Sequence, residues 1–161
     1  MQPSPAEKKD EDEGAAHYRI TIDAPAADVL ATLRDLAAYP DWQSGIDSFA
    51  VLDSDHRGLP LAARMTVHAM GMRATMALAL EHGERTMRWR LTEGDVITRN
   101  DVEYTVADLP DGRTELRLRQ VMALKWHMPA SVTKLFTEQK IAGTMESVRK
   151  QAERTAQRPR P

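Results

Sequence analysis

The sequence predicts an α+β fold of about seven antiparallel strands and three helices, in the order β-α-α-β6-α. Three observations carry this. A short alternating stretch runs directly into a helical pattern near the N-terminus, a series of alternating runs separated by turn signals fills the middle, and beyond Pro129 the apolar period becomes helical.

In "HYRITIDAPAADVLATLRDLAAYPDW", Tyr18, Ile20 and Ile22 alternate with His17, Arg19, Thr21 and Asp23, as in a strand with one buried face. A helix follows. Pro25 suits its first helical position, Asp28 falls in the first turn where the helix dipole favours an anion, and Val29, Leu33 and Leu36 recur at helical spacing. Pro40 ends or bends this region, bracketed by Tyr39 and Trp42.

The meander begins with "SFAVLD", closed by "SDHRG". In "MTVHAMGMRATMALAL", a two-residue turn at Met70-Gly71 sets the side-chain parity of both strands. Met65, Val67, Ala69, Met72, Ala74, Met76, Leu78 and Leu80 then share one face, while Thr66, His68, Arg73, Thr75 and Glu81 share the other. After the "EHGE" turn, Met87, Trp89 and Leu91 alternate with Arg88 and Arg90. Val102, Tyr104 and Val106 alternate with Glu103 and Thr105, and "LPDGR" turns the chain again. In the last run Leu116, Leu118, Gln120, Met122 and Leu124 lie opposite Glu115, Arg117, Arg119 and Lys125.

Val132, Leu135, Phe136, Ala142, Met145 and Ala152 mark the apolar stripe of the final helix, which must be buried on the inner face of the sheet. Gln139 and Gly143 lie near that stripe. A glycine in a helix costs about 1 kcal/mol relative to alanine, so close approach to a strand or a ligand is the expected compensation at Gly143.

The 161 residues fit one domain, expected over 16–155, with tails at 1–15 and 156–161 that are too polar or proline-bearing to bury a core. A net charge of -2 gives no reason to expect nucleic acid as a partner. No apolar run approaches the roughly 20 residues of a membrane span, no signal-like stretch opens the sequence, and a cytoplasmic location is expected. The absence of cysteine excludes disulfides and thiolate metal sites.

The five histidines, His17, His56, His68, His82 and His127, show no metal-site spacing, and no metal is expected. Nucleotide-binding glycine motifs and the Gly-x-Ser-x-Gly elbow are missing, so no cofactor is expected and no catalytic residue is assigned. Gln120 is the polar residue that interrupts an apolar face, where it suits a ligand carbonyl or hydroxyl, and Asn100 shares the parity of Val102 and Tyr104. Trp42, Trp89 and Tyr104 offer aromatic walls, with Trp42 equally suited to plugging the helical turn onto the sheet. Arg88, Arg90, Arg117 and Arg119 read as a solvated outer face paired with Glu103 and Glu115.

The stretch "ITIDAPAADVLATLRDLAAYPDW", with its alanine-proline helix start and the turn Tyr39, Pro40, Asp41, Trp42, resembles the START-like (SRPBCC, helix-grip) superfamily. The likeness is to its polyketide cyclase/dehydrase-like and coenzyme Q-binding-protein-like branch. The resemblance implies a curved sheet gripping the last helix around a cavity. Methionines suit such a wall, because an unbranched thioether adapts to ligands of different shape.

On this basis Trp42, Met65, Met72, Met76, Trp89, Asn100, Tyr104, Gln120, Met122, Phe136 and Gln139 are expected to line a pocket of about 300 to 1,000 Å³. The expected function is binding of a hydrophobic small molecule: a lipid, an isoprenoid quinone or a polyketide-like aromatic. A polyketide cyclase/aromatase-like enzyme is the alternative, and a ribosome- or protein-interaction module a second. Either a monomer or a homodimer fits.

Overall fold

A computed structural model gives the structure of residues 15–69, 71–126 and 130–157, with side chains in the last segment described from residue 140 onward. Strand β1 (Ala16–Ile22) leads into helix α1 (Ala26–Arg34), a 3₁₀ turn at Leu36–Ala38 and the single helical turn α2 (Tyr39–Trp42). Six strands follow: β2 (Ile46–Ser54), β3 (Pro60–Ala69), β4 (Met72–His82), β5 (Thr86–Gly94), β6 (Ile97–Asp108) and β7 (Thr114–Leu124). Helix α3 (Ala130–Gln157) closes the fold. Ala156 and Gln157 are thus helical, while residues 1–14 and 158–161, most of the two expected tails, lie outside the described residues.

The strands form one antiparallel sheet in the order β1-β7-β6-β5-β4-β3-β2. Tight turns make neighbours of β2 to β7, whereas α1 and α2 carry the chain away from β1, which pairs with β7 instead. The pairs Ala69↔Met72 and Met65↔Met76 fix the expected hairpin register, and Gly71 at φ +76° supplies the left-handed conformation that a two-residue hairpin loop needs. Register shifts in the β2–β3 pair, and between Ala77 and Leu78 of β4 against β5, are bulges that bend the sheet around its inner face. The result is the α+β helix-grip arrangement.

Parity holds along most of the sheet. On β5, Met87 and Trp89 are buried while Arg88 and Arg90 are exposed, and on β7 Leu116 and Leu118 are buried. Tyr18 departs from it, 36% exposed although Ala16 and Ile22, which share its parity on β1, are buried. On the outer face Arg88 reaches Glu81 at 3.3 Å and Glu103 at 3.5 Å, and Arg117 reaches Glu115 at 2.6 Å. Such exposed pairs contribute about 0 to 1 kcal/mol each.

Two helix details differ from expectation. Pro25 is the cap before the first helical residue, extended at φ −63° and ψ 152°, and its carbonyl accepts from the N–H groups of Asp28 and Val29. On α3 the buried line runs through Ile141, Met145, Val148 and Ala152, with Ala142 only half-buried. The spacing 4-3-4 keeps that line facing β1 and α1, and Ala142 lies about 100° round the helix from Ile141. A Cβ on Gly143 would meet nothing within 4 Å among the described residues, so no strand approaches this glycine closely.

Candidate ligand cavity

The concave face of the sheet, α2 and α3 enclose a cavity of about 80 Å³. Apolar walls come from Met65 and Val67 of β3, Met76 of β4, Trp89 of β5 and Met122 of β7, facing Ile141 of α3. Strand parity places them there: Met65 and Met76 are directly opposite each other, and both are at least 95% buried. The volume is far below the 300 to 1,000 Å³ expected of a formed pocket.

A chain of aromatic rings supports one side. Trp42 lies 4.8 Å from Tyr39, Tyr39 5.3 Å from Phe49, Phe49 5.9 Å from Trp89, and Trp89 5.9 Å from Tyr104, the last three pairs edge to face. The Tyr39 hydroxyl donates to the Leu33 carbonyl at 2.5 Å, tying α2 to the end of α1. Trp42 stacks at the outer end of this chain and does not line the cavity.

Polar groups sit on the same wall. Gln120 Nε2 donates to Asn100 Oδ1 at 2.9 Å, and Asn100 Nδ2 donates to the Met76 sulfur at 3.5 Å. Gln120 is opposite Val102, so Asn100 is its diagonal neighbour across β6 and β7, within reach of an amide side chain. Asn100 is 4% exposed and its carbonyl depends on Gln120. Gln120→Leu is therefore expected to destabilise the fold by about 1 to 3 kcal/mol, and the Asn100→Leu/Gln120→Leu double variant by much less, because both partners are then apolar. Urea unfolding of the single and double variants measures this coupling; simple additivity of the two single losses would contradict the pairing.

Burial also governs the phenols. Desolvation raises the pKa of Tyr39, aided by Tyr104 and Asp35 nearby, and raises that of Tyr104. Above about pH 10 the unfolded chain loses these phenolic protons while the native state keeps them, so the stability they contribute is complete below that pH and declines as pH rises further. Phenolate absorbance from two of the three tyrosines is expected to appear in step with the loss of circular dichroism. Ionisation of all three in the native fold would show that Tyr39 and Tyr104 are not buried as described.

The expected site residues thus divide. Met65, Met76, Trp89, Asn100, Tyr104, Gln120 and Met122 converge on the cavity. Met72 has the right parity but lies at the hairpin end, 43% exposed. The side chains of Phe136 and Gln139 lie outside the described residues.

Residues not expected from the sequence complete the wall: Tyr39, Gln43, Ser44, Lys140 and Thr144. Gln43 Nε2 donates to Thr144 Oγ1 at 3.1 Å, linking the turn after α2 to α3. Lys140 and Thr144 flank the buried line of α3 at i, i+4 spacing. An open groove lined by Gly45, His68, Gly143 and Lys150 adjoins the cavity, sharing Gln43, Ser44, Lys140 and Thr144 with it.

The family model described as polyketide cyclase/dehydrase and lipid transport matches residues 14–158. The chain belongs to this family. Its fold is START-like, as the likeness to solved structures shows. A START superfamily protein from Mycobacterium smegmatis is 20% identical, with a TM-score of 0.74 over 88% of this chain and 96% of that one. The Zhui aromatase/cyclase from Streptomyces sp. R1128 is 18% identical, with a TM-score of 0.74 over 87% and 93%. The di-domain ARO/CYC BexL from the BE-7585A biosynthetic pathway is 17% identical, with a TM-score of 0.69 over 97% of this chain and 54% of that one. No curated protein matches the chain. Among the described residues of this polyketide cyclase/dehydrase-family protein, no helix is long and apolar enough to cross a membrane.

Proposed function

We propose that this polyketide cyclase/dehydrase-family protein binds one hydrophobic small molecule, of lipid, isoprenoid quinone or polyketide-like aromatic type, between its sheet and α3. The observation that carries this reading is the composition of the cavity wall. Three methionines and Trp89 surround a single amide pair, a largely apolar surface with a few convergent polar groups, as ligand sites have. A void of about 80 Å³ holds no lipid as it stands. Rotation of Met65, Met76 and Met122 enlarges it, since thioether chains change rotamer at little cost. The Asn100–Gln120 pair and the Tyr104 hydroxyl, which makes no hydrogen bond among the described residues, then orient a ligand carbonyl or hydroxyl.

Native mass spectrometry of protein purified from its own host, followed by denaturation and identification of the released molecule, tests the proposal. A stoichiometric apolar compound supports it. Protein that is empty and stays empty with quinones, fatty acids and aromatic polyketides refutes it, and a compound converted on incubation favours the cyclase-like reading.

A further inference from the structure

Lys140 is the one charged side chain on the cavity wall among the described residues. It also lines the adjoining open groove, which places it at the mouth, between solvent and the methionine-walled interior. The carboxylate beside it in the groove, Glu146, is committed to Arg149, and His68 across the groove is committed to Asp47 at 2.6 Å. Lys140 itself has no ion-pair or hydrogen-bond partner among the described residues, and desolvation pulls its pKa down.

Trp89, on the same wall, has a buried indole N–H without an acceptor among the described residues. An unpartnered ammonium at the edge of an apolar cavity is costly unless an acceptor arrives to meet it. A neutral apolar ligand leaves the ammonium uncompensated. An anionic oxygen at the mouth meets it with a charge-assisted hydrogen bond.

Building on the binding reading above, we infer that the ligand is an amphiphilic acid whose carboxylate is held by Lys140 at the mouth, with its apolar body directed inward against Met65, Met76 and Trp89. The polar group oriented by Asn100 and Gln120 is then a second one, at depth, so that the cavity measures the distance between an acid and a carbonyl or hydroxyl.

Two probes of one shape separate charge from apolar burial: 2-naphthoate and its neutral methyl ketone counterpart, 2-acetonaphthone. Their affinities for the full chain are measured by calorimetry, alongside Lys140→Met and Lys140→Arg, with thermal midpoints as the folding control. The wild type is expected to prefer the carboxylate by about tenfold or more, as a hydrogen bond to a charged group implies. Lys140→Met abolishes that preference by weakening naphthoate alone, and Lys140→Arg retains most of it. Equal binding of both probes by the wild type, or a preference that survives Lys140→Met, overturns the role of Lys140 and leaves the cavity reading standing. Binding of neither probe overturns this inference, while the cavity reading is decided separately by the compound released from the native protein.

Discussion

Met145→Ala is expected to lower stability by about 2 to 5 kcal/mol, the range for truncating a fully buried methionine. The side chain is 0% exposed and sits at the centre of the line Ile141, Met145, Val148, Ala152, which faces β1 and α1. At about 1.5 Å per residue, the 28 residues of α3 span about 42 Å, and among its described side chains this line is the fully buried one. Removing its middle member leaves a cavity that a rigid helix on a paired sheet cannot collapse to fill. Urea denaturation should show a lower midpoint with an unchanged slope. The same truncation at Met72, 43% exposed, should fall within about 0.5 kcal/mol of the wild type. Similar losses at both positions would mean that α3 is not held as described.

Met76→Trp is expected to weaken ligand binding at least tenfold while the fold survives. Met76 is 2% exposed, faces Met65 across the β3–β4 pair and accepts from Asn100, so an indole there takes up the remaining void and displaces the amide pair. Overpacking of this kind costs about 1 to 3 kcal/mol, which a domain of ordinary stability withstands. Titration with a bound compound recovered from the host, or with 2-naphthoate, reads the effect, and Met72→Trp at the exposed hairpin end is the control. Unchanged affinity in Met76→Trp places the ligand somewhere other than between sheet and helix.

What could be read in advance followed from period and parity. The turn at Met70-Gly71 was legible because one residue of slip would have turned every methionine of the pair outward, and the observed Met65↔Met76 pairing is the register that alternation requires. Gln120 was visible as a polar interruption of an apolar strand face. Its partner was not, since a diagonal neighbour is set by the β6–β7 register rather than by either strand alone.

Parity says which face a residue occupies but not how far along the sheet the cover extends. That is why Met72 and Tyr18 share inward parity and are nevertheless exposed. On α3, Met145 and Ala152 of the expected stripe lie on the buried line, whereas the place expected for Ala142 is taken by Ile141, about 100° round the helix from it. Lys140 adjoins Ile141, and a charged residue beside an apolar stripe carries no sign in the sequence that it reaches a cavity. Cavity volume was the least legible quantity, because it is the small difference between the space under a bulged sheet and the side chains that fill it.

On the proposed reading, the methionines on the cavity wall move to admit an apolar ligand. Methyl NMR of protein carrying ¹³C-labelled methionine tests it most directly, during titration with the compound released from the native protein or with 2-naphthoate. Saturable shifts at Met65, Met76 and Met122, with Met72 unchanged, are the expected result. Saturable binding that leaves those three methyl groups where they were would contradict it.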